Sequence, residues 1–181
     1  MFSHWFQIVF IAAIGCTSAM AADWPSWRGP GQNGLAPEKA VVTSWSPQGE
    51  NLLWKVPIEG RSTPLVMNGR VFANTPVGDI HNPIELQERV IALDAETGKT
   101  LWEHRFNVFD TDIVPQRVGW TSPVGDPETG NVYAQGTGGE FFCLNRDGKV
   151  LWKWSMTEEF GRGSGLGLPG SVMVSPIFAG L

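Results

Sequence analysis

"VIALDAETGKTLWEHRF", Val90 to Phe106, is the stretch whose reading decides the fold. Its middle, Gly98-Lys99-Thr100, matches the end of a phosphate-binding loop, while its flanks match two β-strands joined by a turn. A phosphate loop requires a glycine five residues ahead of its Gly-Lys-Thr, so that bare backbone N–H groups can wrap the phosphates. That position holds Leu93, and Leu101 and Trp102 continue as strand rather than opening a helix. The hairpin fits better. Val90, Ile91 and Leu93 lead into the polar run "DAETGK", where Gly98 supplies a left-handed position. Asp94 and Thr97 can bond nearby backbone N–H groups, and Leu101-Trp102 resume the strand.

The whole chain agrees with a β-rich reading. Its 181 residues suit one ordinary domain. Only 17% are charged, against 22 glycines, 13 prolines and nine tryptophans, a mix that suits short strands, many turns and large aromatic side chains between them. The net charge of -5 argues against a nucleic-acid partner, because phosphate binding needs a basic face.

Residues 1–21, "MFSHWFQIVFIAAIGCTSAMA", stand apart as a signal peptide. Phe6 to Ile14 form the apolar stretch and Ala19-Met20-Ala21 an A-x-A cleavage site, although no Lys or Arg precedes it. The run is short for a membrane span, so no transmembrane segment is expected in the mature chain. Export to the periplasm, cell envelope or medium follows. Cys16, in "AIGC", leaves a lipid anchor as the second reading. After cleavage only Cys143 remains, a thiol in the apolar strand "EFFCLN" with no partner for a disulfide.

A repeat extends the hairpin reading to the rest of the chain. "EFFCLNRDGKVLWKW", Glu140 to Trp154, matches it with Leu144 for Leu93, Asn145 for Asp94, Gly148-Lys149 for Gly98-Lys99 and Leu151-Trp152 for Leu101-Trp102. Trp54, in "NLLWKV", closes the same kind of strand, and the three tryptophans lie 48 and 50 residues apart. "STPLVMNGRVFANT" from Ser62 matches "TSPVGDPETGNVYAQG" from Thr121, and "VSPIFAGL" from Val174 begins a third copy. Each unit therefore reads as four strands in about 50 residues, the period of a propeller blade, with a tryptophan wedged between neighbours.

"ALDAETGKTLW" resembles the tryptophan-docking motif A-x-D-x-x-T-G-K-x-x-W of the PQQ-like (pyrroloquinoline quinone-type) β-propeller repeat. Ala92, Asp94, Thr97, Gly98, Lys99 and Trp102 fill its fixed positions. Gly148, Lys149 and Trp152 carry over in the second copy, where Cys143, Asn145 and a shorter turn depart from it. "WPSWRGP", Trp24 to Pro30, is similar to the opening of many secreted bacterial members. The resemblance implies an all-β fold: a partial β-propeller of about two and a half four-stranded blades. Residues 22–50 would join a propeller spanning 51–181 and continuing beyond the chain end, with a small complete β-protein as the rival reading. It also implies that the motif residues lock blade to blade. Members divide into quinone-dependent alcohol and sugar dehydrogenases and non-catalytic scaffolds, such as the outer-membrane lipoprotein that assists β-barrel assembly.

The dehydrogenases would be expected to show a vicinal Cys-Cys pair, calcium ligands from Glu, Asn and Asp, and a catalytic Asp. The chain has no Cys-Cys pair. Asp110–Asp112 read as a polar connector and Gly125–Asn131 as a long hairpin turn rather than calcium ligands. His81 and His104 have no partner at metal-ligand spacing and are expected in solvated or capping roles. "GLGLPG", Gly165 to Gly170, lacks the helix that a dinucleotide loop needs, and "GRGSGLG" has Arg162 where a nucleophile elbow needs glycine. Arg28, Arg117 and Arg162 are expected at the surface or in packing. The chain therefore reads as an exported, non-catalytic binding or scaffold module without a cofactor, its partner a protein or small molecule. The alternative is the front end of a dehydrogenase using PQQ and calcium.

Overall fold

The structure, a computed structural model, describes residues 22–36, 42–82, 84–108 and 115–160. The signal segment with Cys16, the Asp110–Asp112 connector, Arg162, the glycine-rich "GLGLPG" and the third copy from Val174 lie outside these residues.

Strands β1 (Leu65–Met67), β2 (Arg70–Val77), β3 (Gln87–Asp94) and β4 (Thr100–Asn107) pair antiparallel in chain order as one four-stranded sheet. Strands β5 (Val124–Gly125), β6 (Val132–Gln135), β7 (Glu140–Leu144) and β8 (Val150–Ser155) repeat the arrangement, and a five-residue helix, α1 (Met156–Phe160), follows. The structure is all-β in two meander sheets of the kind that the repeat period requires of propeller blades. Trp24 adds an isolated antiparallel bridge to Val66, with two backbone hydrogen bonds of 2.7 and 3.0 Å.

The core lies between the sheets. Leu65, Met67, Phe72, Val90, Ala92 and Phe106 from the first meet Val132, Ala134, Phe142 and Leu144 from the second, with Trp102 and Val150 against them. Each large apolar side chain withdrawn from water there contributes about 1.5–3 kcal/mol. The alternation of β4 explains the seam: Trp102, His104 and Phe106 face inward, while Glu103 and Arg105 face solvent. Phe106 and Phe142 cross the seam with ring centroids 4.7 Å apart, and His104 meets Phe142 edge-on at 5.1 Å. His104 is thus a packing residue rather than the solvated or capping one expected. Burial, then nearby Lys153, pushes its pKa down, which favours the neutral ring.

Both sheets carry a one-residue irregularity at the same place. Trp102 pairs with Ala92 but Thr100 with Leu93, and Trp152 pairs with Cys143 but Val150 with Leu144. The extra residues, Leu101 and Leu151, are consequently exposed, and each following tryptophan is re-aimed. Leu101-Trp102 therefore do not continue one apolar strand face. A second difference concerns Trp54. Leu52, Trp54, Val56 and Ile58 alternate half-buried with exposed neighbours, as in a strand, yet residues 52–60 carry no ladder among the described residues. An extended segment is assigned as a strand only when a neighbour supplies hydrogen bonds.

Candidate functional site

The two ends of the sheets do different work. At the end holding the β3–β4 and β7–β8 turns, tryptophans sit on glycines. Trp54 covers Gly98, where an added Cβ would stand 2.7 Å from the indole, and donates its Nε1–H to the Ala95 carbonyl at 2.9 Å. Trp102 covers Gly148 with the corresponding approach of 2.6 Å and donates to the Arg146 carbonyl at 2.8 Å. The two glycines have φ of 71° and 81°. Both backbone conformation and lack of a side chain are therefore needed at each. The turn under Trp54 is held by Asp94, whose Oδ1 accepts from the backbone N–H and hydroxyl of Thr97 at 2.8 and 2.7 Å. Those bonds, the Thr97 hydroxyl foremost, hold the Asp94 carboxyl below its usual range. In the shorter turn Asn145 takes over, accepting from the N–H groups of Asp147 and Lys149 at 3.0 and 2.9 Å.

"DPETG", Asp126 to Gly130, builds the same turn between β5 and β6. Its Asp126 accepts from the Thr129 hydroxyl at 2.6 Å, which lowers the carboxyl pKa. Asp126, within Gly125–Asn131, thus serves turn closure.

At the opposite end, buried polar side chains tie one sheet to the other. Glu88 is fully buried on β3. Its Oε1 accepts from the Gly119 N–H and the Thr137 hydroxyl, both at 2.8 Å, and its Oε2 from the Thr137 N–H at 2.6 Å. Burial pushes its pKa up, and these donors oppose that shift. Asn74, also fully buried, donates to the Thr121 hydroxyl at 2.6 Å and the Gln135 carbonyl at 3.1 Å. Its backbone N–H reaches the Ser62 hydroxyl, and the Ser122 hydroxyl accepts from the Thr63 N–H at 2.9 Å.

These bonds shape a cleft of about 160 Å³ lined by Glu59, Arg61, Pro76, Ile80, Val118 and Trp120 among others. Gly119, between the lining residues Val118 and Trp120, packs against Pro76: its φ is 73°, and a Cβ would lie 2.6 Å from the Pro76 nitrogen. The guanidinium groups of Arg61 and Arg117 lie 5.1 and 5.6 Å from the Trp120 ring centroid.

The sequence profile described as "Outer membrane protein assembly factor BamB" matches residues 35–166, most of the chain. The chain belongs to the PQQ-like β-propeller family. No curated protein matches it. Among solved structures it is similar to a europium-containing methanol dehydrogenase (16% identity, TM-score 0.38), over 52% of this chain and 24% of that one. It is also similar to BamB from Moraxella catarrhalis (15% identity, TM-score 0.28), over 52% of this chain and 34% of that one. The matches thus span about a quarter and a third of those structures.

For a PQQ-like protein, the placement of the motif residues is informative. Ala92 is fully buried opposite Trp102, and the backbone N–H of Lys99 faces the Thr97 hydroxyl at 3.4 Å. Lys149 contributes its N–H to the Asn145 cap. Trp152 occupies the place of Trp102 in the second sheet but is 44% exposed, with Tyr133 at 6.1 Å. Cys143 is buried, which pushes its thiol pKa up. His81 and Arg117 are exposed, and Arg28 donates to the Asn33 carbonyl at 3.4 Å.

Glu88, Asn74 and Trp120 belong to no recognisable sequence motif. A signal for the first two was present, since period two puts Glu88 on the face of Val90 and Ala92, and Asn74 on that of Phe72. Among the described residues no three His, Cys, Asp or Glu side chains converge as metal ligands. No helix among the described residues is long and apolar enough to cross a membrane.

Proposed function

We propose that the protein is an exported, non-catalytic binding or scaffold module, in which the tryptophan-docking residues lock adjacent blades. The observation that carries this reading is where the motif side chains go. Gly98 and Gly148 lie under indoles, Asp94 and Thr97 close their turn, and Ala92 is buried against the seam. These structural placements support a scaffold role for the motif residues. The description of the matching family, an outer-membrane protein assembly factor, supports the same class and points to an envelope protein as partner. Residues 1–21 support export, with cleavage after Ala21.

Two experiments test this. Dye-linked alcohol or sugar oxidation, assayed with added quinone and Ca²⁺, should stay at background, and turnover above it would overturn the non-catalytic reading. Fractionation of expressing bacteria should find the chain outside the cytoplasm and starting at Ala22. Retention of residues 1–21 on cytoplasmic protein would overturn export.

A further inference from the structure

The cleft beside Trp120 is built, charged and unused by the blade-locking residues. Its walls come from three segments pinned to one another by the bonds of Glu88, Asn74 and Ser122. The Trp120 Nε1–H is buried and has no acceptor among the described residues. Arg61 and Arg117 both lie over the same indole, yet neither makes a hydrogen bond or ion pair among the described residues. Stacking leaves the planar guanidinium N–H forks available for a carboxylate.

We propose that this cleft binds a small monocarboxylate with an apolar body. Pro76, Ile80, Pro115 and Val118 supply an apolar lining. The volume of about 160 Å³ suits one ring, since a dry cavity of roughly 150 Å³ takes up benzene. Charge selects the head group: among the described residues, Arg61 of the lining and Arg117 over the Trp120 ring stand against the carboxylate of Glu59, a balance that matches a monoanion better than a phosphate dianion. The carboxylate accepts from the arginines, and the body lies on the apolar wall beside the Trp120 ring. The site goes beyond the scaffold reading and does not depend on it.

Benzoate is the probe and the indole N–H resonances of ¹⁵N-tryptophan-labelled full chain are the readout. The resonance missing in Trp120→Phe should shift saturably with benzoate. Arg61→Gln and Arg117→Gln, both at exposed positions, should together weaken binding about tenfold or more and leave the other indole resonances in place. Benzyl alcohol, the neutral isostere, should bind at least about tenfold more weakly. The proposal is overturned if benzoate leaves the Trp120 resonance unmoved. Equal binding of benzyl alcohol, or of inorganic phosphate, overturns the carboxylate assignment in the unmodified protein. Oxidation and fractionation results for the scaffold reading have no bearing on these outcomes.

Discussion

Replacing Trp102 with alanine removes three things at once. The indole face over Gly148 is lost, with its approach of 2.6 Å to the position of a Cβ there. The hydrogen bond to the Arg146 carbonyl, 2.8 Å long, goes with it, as does the ring contact with Phe72 at 5.8 Å. Truncating a packed Trp costs about 3–5 kcal/mol, and because Trp102 is half-buried the lower end applies. About 1 kcal/mol of that belongs to the hydrogen bond. Trp102→Phe keeps most of the ring and should therefore lose much less. Trp152→Ala is the internal control: the same motif position, 44% exposed, should cost about 1 kcal/mol or less. Urea denaturation followed by circular dichroism gives the three midpoints at constant slope. Equal losses at Trp102 and Trp152 would refute the reasoning, because composition alone would then set the cost. An unchanged midpoint for Trp102→Ala would refute blade locking outright.

Gly98→Ala and Gly69→Ala separate sterics from backbone strain. Their φ angles are 71° and 72°, but only Gly98 faces an indole, so its variant should lose about 1–2 kcal/mol more in the same assay. Glu88→Gln tests the buried carboxylate. With its pKa raised, Glu88 contributes stability that is fully present below about pH 4.5 and lost as pH rises through the folded-state value. The stability of the parent relative to Glu88→Gln should therefore decline as pH rises above about 4.5, and a constant difference would contradict it. Asp94→Asn should do the reverse: the lowered pKa makes the parent's advantage fade only as pH falls through the acid range. His81→Ala, at an exposed loop position, should shift stability by about 0.5 kcal/mol or less.

The architecture was legible because its signals are local. The "DAETGK" turn, the near-50-residue spacing of Trp54, Trp102 and Trp152, and the paired glycine turns each occupy a few consecutive residues. The docking partners required one further step, from motif to neighbour, and Gly98 and Gly148 mark it. The bulges were not legible, because Leu101 and Trp102 are both apolar and a one-residue slip leaves no mark on composition. The polar network was harder still. Glu88 in "LQERV" resembles an ordinary strand charge, and its donors, Gly119 and Thr137, lie 31 and 49 residues away. The burial of His104 is not legible locally for the same reason: it depends on Phe142 of the other sheet. The ladderless stretch around Trp54 shows the converse, a local strand pattern whose pairing depends on a neighbour.

Blade locking is tested most directly by nuclear Overhauser contacts between the docking indoles and their glycines in the labelled full chain. The Trp102 ring protons should show cross-peaks to the Gly148 α-protons and those of Trp54 to Gly98, with both glycine signals displaced by ring current. A Trp102 ring that contacts only its own sheet, with Gly148 at an ordinary glycine shift, would contradict the locking of one blade by the next.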